Sequence, residues 1–277
     1  MIVQRKWMYL ESIFVGGDIR SQLPEEAKKF DMIDKTYKKI LVETNKRPNI
    51  REACHVPNRL SDLENLSIGL EKCQKSLNDY LDSKRNAFPR FFFISDDELL
   101  SVLGSSDPGC VQEHMIKMYD NISSLTFQRG ANHETLVRGM NSSEGEQMAF
   151  RIGVPAEGKI EEWMTEVLQE MRRTNRLITK ESIFYYCHEK SRYTWLFDYQ
   201  GMVVLAANQV WWTAEVEDVF EKVKKGGENK LAMKHFAKKL NAQIEELVEG
   251  VRNPRMKTND RTKINTVLIV VYCLLQQ

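Results

Sequence analysis

A long apolar stripe constrains this chain more than any other feature of its sequence. Between Leu63 and Leu81, apolar residues recur at steps of three and four, which is the spacing of one face of an α-helix. The stripe comprises Leu63, Leu66, Leu70, Cys73, Leu77 and Leu81. Ser61 precedes it with Glu64 three residues later, and this capping-box spacing favours a helix start. The pattern therefore predicts a helix of about 25 residues, roughly 40 Å long, that begins at Ser61.

A phenylalanine-rich junction, Phe88–Phe93, follows this helix. Pro89 fixes its own φ and favours an extended conformation in the residue before it. We predict that Phe91–Ile94 is extended and buried, because this apolar run is too short for a buried helix. Ser95 and Glu98 then have capping-box spacing, which predicts the start of another helix. The junction contains no reactive group, so it favours a mechanical or scaffolding part over catalysis.

Helical spacing recurs through most of the remaining chain, which is therefore predicted to be mainly helical. The further predicted helices run from Pro24 to Lys46, from Asp107 to Ile122, from Ile160 to Met171, from Trp195 to a stop at Gly226-Gly227, from Lys230 to Val248, and from Asn259 onward.

The spacing changes from helical to alternating in the middle of the chain. Thr135–Met140 and Gln147–Val154 have the alternation of strands. Asn141–Gly145 lies between them with the composition of a turn, where Gly145 can adopt a positive φ. We predict a β-hairpin, with Leu125–Phe127 as a candidate third strand. The predicted fold class is mainly α, an elongated multi-helix bundle with a small inserted β-hairpin.

Three parts of the chain are predicted from these breaks. Residues 1–104 form an N-terminal helical part that includes the phenylalanine-rich junction. Residues 105–158 contain a helix and the β-hairpin, and residues 159–277 form a C-terminal helical bundle.

Composition argues against several classes of function. The 277 residues carry 40 Lys plus Arg against 39 Asp plus Glu, and a net charge of +1 gives no argument for binding nucleic acid or an anionic membrane. The N-terminus has no signal-peptide pattern, and the apolar run Val267–Leu275 is far shorter than the roughly 20 residues of a spanning helix. Five cysteines without a C-x-x-C pair argue against a zinc site or a disulfide framework and favour a reducing compartment.

Groups that resemble reactive sites have simpler structural interpretations. Gly226-Gly227 lacks the spacing of a phosphate-binding loop. Cys54-His55 and Cys187-His188 are adjacent pairs whose side chains point apart, so neither is by itself a nucleophile–base pair. A hydrolase that uses one cysteine and a histidine distant in sequence remains an alternative. Glu161-Glu162 and Glu245-Glu246 are predicted on exposed helix faces. We therefore predict no catalytic, cofactor-binding or metal-ligating residue.

Trp211-Trp212 is a candidate interface pair. Consecutive residues on a helix point about 100° apart, so one ring can join the core while the other faces a groove or a partner. The alternative is that both rings pack at a helix–helix junction.

With these residues in view, the chain resembles dynein heavy chains in the linker region that precedes their ATPase ring. Trp7-Met8-Tyr9-Leu10-Glu11-Ser12-Ile13-Phe14 is similar to the family pattern W-x-Y-L-E-x-I-F, and the resemblance continues to about Val270. Val210–Glu217 is more similar to axonemal than to cytoplasmic dyneins. The residues that carry the family motifs are Trp7, Tyr9, Leu10, Glu11, Phe14, Tyr80, Phe88, Pro89, Arg90, Phe91, Phe92, Phe93, Glu98, Gly145 and Trp163.

The resemblance implies a mechanical function. In the family, the linker lies across the ring of ATPase modules and changes between bent and straight as the first module turns over ATP, which moves the tail relative to the microtubule-binding stalk. The implied partners are the ATPase ring of the same heavy chain and, through the whole motor, microtubules and the intermediate and light chains, with no nucleic acid and no membrane. The resemblance implies no cofactor, no enzymatic activity of this segment alone, and a place in the cytoplasmic cytoskeleton, in the axoneme of a cilium or flagellum.

Two further expectations concern the role and the end of this chain. Bending of such a lever is expected at a break such as Gly104–Pro108, and the alternative to a lever is a helical scaffold that binds partners through exposed faces. The family pattern departs near Val271, which predicts a truncated isoform, an incomplete gene prediction or a shortened chain. The apolar tail then either packs on this chain or belongs to a longer protein.

Overall fold

The computed structural model describes residues 2–15, 17–130, 133–186, 191–226 and 231–275. Its α-helices are α1 (Ile2–Phe14), α2 (Gly17–Gln22), α3 (Pro24–Lys46), α4 (Ile50–Cys54), α5 (Arg59–Ala87), α6 (Asp96–Gly104), α7 (Met115–Met118), α8 (Ile160–Phe184), α9 (Arg192–Trp195), α10 (Gly201–Lys225), α11 (Ala232–Val251) and α12 (Thr258–Leu275). Short 3-10 helices lie at Pro89–Phe93 and Pro108–His114. The strands β1 (Ile122–Arg129), β2 (Thr135–Ser142) and β3 (Gln147–Pro155) form a sheet in the order β1-β2-β3. The predicted mainly α fold with a small β insertion is confirmed.

The chain forms two compact units. The first contains Met1–Asp120, Arg129–Thr135 and Pro155–Thr165, and the second contains Asn121–Gln128, Leu136–Val154 and Glu166–Gln277. The division into residues 1–104, 105–158 and 159–277 stays a prediction.

Helix α5 organises the first unit, where it packs against α1 and α3. Its predicted apolar stripe is confirmed, because the residues from Leu66 to Leu81 at helical spacing are buried. The predicted start at Ser61 is wrong, since the helix begins at Arg59. Asn58 adopts a left-handed φ of 64° just before the helix, so Ser61 lies inside the first turn, and the buried Arg59 pairs with Glu43 at 3.0 Å.

The helix predicted from Asp107 to Ile122 is only partly correct. The Asp107 side chain accepts a hydrogen bond from the Gly109 N–H, and a 3-10 helix begins at Pro108 as a helix start predicts. The α-helical part is limited to α7, and Asn121 then adopts a left-handed φ of 62°. This residue ends the helical path, so Ile122 lies in β1 instead.

The second unit holds most of the sheet, and the predicted hairpin and its third strand are confirmed. Gly145 in the β2–β3 turn has a φ of 87°, as the turn composition predicts. Helix α8 covers the outer edge of β3 with two side chains. The N–H of Arg151 donates to Thr174 Oγ1 at 3.3 Å, and the N–H of Ile152 donates to Glu170 Oε1 at 3.1 Å.

The helix predicted from Trp195 onward is interrupted in the structure. Trp195 ends the short helix α9, and α10 begins at Gly201, whose N–H donates to both carboxylate oxygens of Glu146 at 2.9 and 3.1 Å. The first N–H groups of a helix have no acceptor within the helix, and this carboxylate supplies one for the first residue of α10. Gly226, with a φ of 69°, ends α10 where a stop is predicted, and residues 227–230 lie outside the described part of the chain.

The apolar tail packs on this chain. Ile264, Val267 and Val271 of α12 are buried at helical spacing in a cluster with Trp195 and Leu247. Helices α11 and α12 match the predicted final pair, which is separated at Asn253-Pro254. The tail is therefore one side of the core of the second unit.

Candidate functional site

The phenylalanine-rich junction is a 3-10 helix from Pro89 to Phe93, so the predicted extended conformation is wrong for Phe91–Phe93, whereas Ile94 is extended and buried as predicted. A 3-10 helix has three residues per turn, which places Phe88, Phe91 and Ile94 on one face, and all three are buried. Phe92 and Phe93 lie on the other faces and are 61% and 66% exposed, so their predicted burial is also wrong. The buried rings of Phe88 and Phe91 meet edge to face, with centroids 5.0 Å apart.

Two arginines hold the junction against its neighbours. Arg90 donates from Nη1 to the carbonyl oxygen of Met118 at 2.7 Å, and its guanidinium carbon lies 4.1 Å from the ring centroid of Tyr119. Arg85, on the last turn of α5, donates to the Asp96 carboxylate at 2.6 Å. These contacts fix the direction in which the chain leaves α5.

The predicted capping box at Ser95 and Glu98 is confirmed and starts α6. The Ser95 N–H and hydroxyl both donate to Glu98 Oε2 at 3.0 Å, while Lys117 pairs with the other oxygen. Hydrogen bonding from Lys117, and then from Ser95, lowers the pKa of Glu98 to about 2. The carboxylate stays ionised and joins the first turn of α6 to the segment that follows the 3-10 helix at Pro108–His114.

The N-terminal motif lies on α1 and packs in the first unit. Leu10 and Phe14 are fully buried, and the Phe14 ring stacks on Phe30 with centroids 5.2 Å apart. Trp7 donates from Nε1 to Asp34 at 2.9 Å, and Glu11 pairs with Lys38 at 3.1 Å. Tyr9 has a raised pKa because of burial, followed by the negative charges of Asp97 and Asp96. The motif therefore joins α1 to α3 through side chains.

Tyr80 and Trp163 line one cavity of about 740 Å³ in the first unit. Burial, and then the charge of Glu161, raises the pKa of Tyr80 to about 12. Glu161 is only 7% exposed and pairs with Lys84, so its predicted place on an exposed face is wrong. The reason is that its partner lies on α5, and a buried carboxylate requires such a partner. Glu162 and the pair Glu245-Glu246 are exposed as predicted.

Gly145 and its neighbours anchor the sheet within the second unit. Asn259 of α12 donates to the carbonyl oxygen of Glu144, and Lys263 pairs with Glu146 at 3.2 Å. Lys263 also donates to the carbonyl oxygen of Tyr199 at 2.8 Å. The β2–β3 turn is thus tied to both α10 and α12.

Trp211 is half-buried and donates from Nε1 to the carbonyl oxygen of Ile183 at 2.7 Å. Its ring stacks on Tyr186 with centroids 5.5 Å apart. Trp212 is also half-buried, and its buried Nε1 has no hydrogen-bond partner within the described ranges. An interface role for the pair stays a prediction.

The described cysteines do not form a nucleophile–base arrangement with the histidine beside them. His55 hydrogen-bonds through Nδ1 to the carbonyl oxygen of Arg51 at 2.7 Å, and Cys54 is exposed. Burial raises the pKa of the Cys73 and Cys110 thiols, which disfavours the reactive thiolate. Cys187-His188 lies outside the described residues.

The part of the chain that the structure describes contains neither a candidate metal site nor a candidate membrane-spanning helix. There, no three His, Cys, Asp or Glu side chains gather into a group that could hold a metal ion. None of the helices there combines the length and apolarity that a bilayer crossing requires.

The structure defines a mainly helical protein with long helices, a capped junction at Ser95 and a small inserted sheet. Residues 1–182 match the sequence profile described as "Dynein heavy chain, N-terminal region 2". The chain is 70% identical over 270 residues to human dynein axonemal heavy chain 10, which covers 98% of this chain and 6% of that protein. It is 55% identical to the dynein-1-alpha heavy chain of the flagellar inner arm I1 complex of Chlamydomonas reinhardtii, over 91% of this chain and 5% of that protein. It is 40% identical to the ciliary dynein beta chain of Heliocidaris crassispina, over 97% of this chain and 6% of that protein.

This chain belongs to the dynein heavy chain family. It spans only 5–6% of the length of these curated relatives.

Proposed function

We propose that this chain is a segment of the mechanical linker of an axonemal dynein heavy chain. It transmits a displacement that ATP turnover produces in the ATPase ring of the same heavy chain. Microtubules and the intermediate and light chains are partners of the whole motor, in the axoneme of a cilium or flagellum. The segment itself performs no reaction and holds no cofactor.

The stiffness of α5 carries this proposal. The helix has 29 residues, which corresponds to about 43 Å of continuous hydrogen-bonded chain. Its core face is buried against α1 and α3 along most of that length, so bending it would open packed contacts. At its end, Arg85 and the buried rings of Phe88 and Phe91 fix the direction of the following chain. A force applied at one end therefore moves the other end with little loss to conformational entropy.

Softening of α5 in a complete heavy chain that contains this segment tests the proposal. Lys75 and Asp79 are exposed on α5, and glycine at both positions costs roughly 1 kcal/mol of helix stability per site. The matched control replaces both by alanine, which removes the same side chains and keeps the helix stiff. We expect the glycine variant to glide microtubules more slowly at an unchanged ATPase rate, while the alanine variant glides normally.

Two results would contradict the lever. Unchanged gliding of the glycine variant, with α5 shown to be softer by faster amide hydrogen exchange, would mean that stiffness here is irrelevant. An equal loss of gliding in the alanine variant would mean that the side chains themselves matter.

A second candidate function is a helical scaffold that binds partners through its exposed faces. An open groove between α3 and α5 favours it. Such a scaffold would retain its partners in the glycine variant, whereas a lever would lose coupling.

A further inference from the structure

A surface groove between α3 and α5 lies entirely in the first unit, with a volume of about 570 Å³. On α5 it is lined by residues that repeat at helical spacing along the edge of the face that packs the core. The α5 lining is Asp62, Asn65, Leu66, Gly69, Lys72, Cys73 and Ser76. Glu26, Lys29 and Thr36 on α3 continue the opposite wall at the same spacing. The groove therefore follows two neighbouring helices for about four turns of α5.

Ile33 of α3 forms the apolar floor of the groove, where it is half-buried. Gly69 makes room for this side chain on α5, because a Cβ there would come within 2.8 Å of Ile33 Cδ1. Met32 stands on the wall 65% exposed, and its flexible thioether can adapt to an apolar ligand.

The two ends of the groove carry opposite charge. Asp62 and Lys72 are ten residues apart on α5, which is about 15 Å along the helix. Within the part of the chain that the structure describes, neither forms an ion pair, whereas Glu26 and Lys29 pair with each other at 3.6 Å. The groove thus offers a free carboxylate near one end and a free ammonium near the other.

We propose that this groove binds one amphipathic α-helix of another polypeptide. The bound helix lays its apolar side chains over Ile33 and against Met32. It places a basic residue beside Asp62 and an acidic residue beside Lys72, about ten residues apart.

A helical occupant fits the groove better than an extended one. The backbone groups in the middle of α3 and α5 bond within their own helices, so a strand would find no backbone partner along the groove. Side chains that repeat at helical spacing can instead receive a ridge with the same spacing.

Two synthetic peptides test the proposal with the full chain. Both are fluorescein-labelled 18-residue helices with one leucine ridge; the first carries Lys and Glu ten residues apart, and the second carries Lys at both positions. Fluorescence anisotropy should show that the chain binds the first peptide about fivefold tighter than the second. The variant Lys72→Glu has two acidic ends and should reverse this preference by a similar factor. The reversal does not depend on the direction in which the peptide lies.

Matched variants locate the binding site. Met32→Glu places a charge in the groove and should abolish binding of the first peptide. Met8→Glu changes a similarly exposed methionine on α1, outside the groove, and should leave binding unchanged. A copy of the first peptide with proline at its centre cannot form the helix and should bind at least tenfold more weakly.

Four outcomes would overturn the proposal. They are dissociation constants weaker than about 1 mM for both peptides, the same preference in the chain and in Lys72→Glu, equal binding of the proline-containing peptide, and binding that survives Met32→Glu. Sedimentation tests whether a second copy of the chain occupies the groove instead of a helix of another polypeptide. A dimer that Met32→Glu dissociates would assign the groove to the second copy and would also overturn the proposal.

Discussion

Phe91 and Phe92 are adjacent in sequence, yet the structure assigns them opposite energetic roles. Phe91 is fully buried beside Phe88, so Phe91→Ala removes a complete ring from the core and should cost about 3–5 kcal/mol of unfolding free energy. Phe92 is 61% exposed, so Phe92→Ala loses only a minor part of the roughly 2–3 kcal/mol that full burial gives a ring. Its contact with Arg85, whose guanidinium carbon lies 6.0 Å from the ring centroid, adds about 0.5 kcal/mol at an exposed site. We therefore expect a loss of about 1 kcal/mol.

Urea unfolding followed by far-UV circular dichroism measures this difference. The unfolding free energies of the two variants should differ by at least about 2 kcal/mol. Phe93→Ala, at a ring that is 66% exposed, is the control and should behave like Phe92→Ala. Phe93→Ala tests the 3-10 geometry, because in an extended chain Phe93 would share the buried face of Phe91. Equal losses for Phe91→Ala and Phe93→Ala would therefore refute it.

Three further perturbations test other contacts. The pKa of Glu98 is lowered to about 2 from its usual 4.5, so the stabilisation that its ionised carboxylate gives is present above pH 4.5 and is lost as the pH falls towards 2. Glu98→Gln should make the urea midpoint depend less on pH across that range. An unchanged pH dependence of the midpoint would rule out this contribution. Gly145→Val forces a β-branched residue to a φ of 87° and should lower stability by roughly 1–2 kcal/mol, whereas an unchanged melting temperature in calorimetry would contradict the turn geometry. Gly250→Ala would collide with the Tyr193 ring and should cost about 1–3 kcal/mol, which Tyr193→Ala in the same chain should partly restore if the collision is the cause.

The long periodic elements of this fold were predictable from sequence. The stripe from Leu66 to Leu81 and the alternation in Gln147–Val154 repeat over many residues, which makes the helical and strand periods clear in the sequence. In the structure, they form the buried face of α5 and the strand β3. Gly145 was predictable for a different reason, because its turn requires a backbone conformation that glycine adopts at low cost. Element starts were less predictable: α5 begins at Arg59, which pairs with Glu43 on α3, and the local capping pattern at Ser61 and Glu64 does not reveal this contact.

The candidate sites were less accessible to sequence reasoning. Phe91–Ile94 is too short to display a period, so its pattern does not distinguish an extended chain from the 3-10 helix that ends at Phe93. The burial of Glu161 depends on Lys84, which lies 77 residues away. The α3–α5 groove has no sequence signal of its own, since its small and polar lining resembles an ordinary solvated helix face.

The contact between α8 and β3 has a consequence for solubility. An uncovered strand edge presents free amide groups to any other extended chain, and that is how sheets grow between molecules. Glu170 and Thr174 occupy the amides of Ile152 and Arg151, so additional strands find no donors at those two positions. A chain without these two side chains should keep its helices and begin to aggregate through this edge before it unfolds.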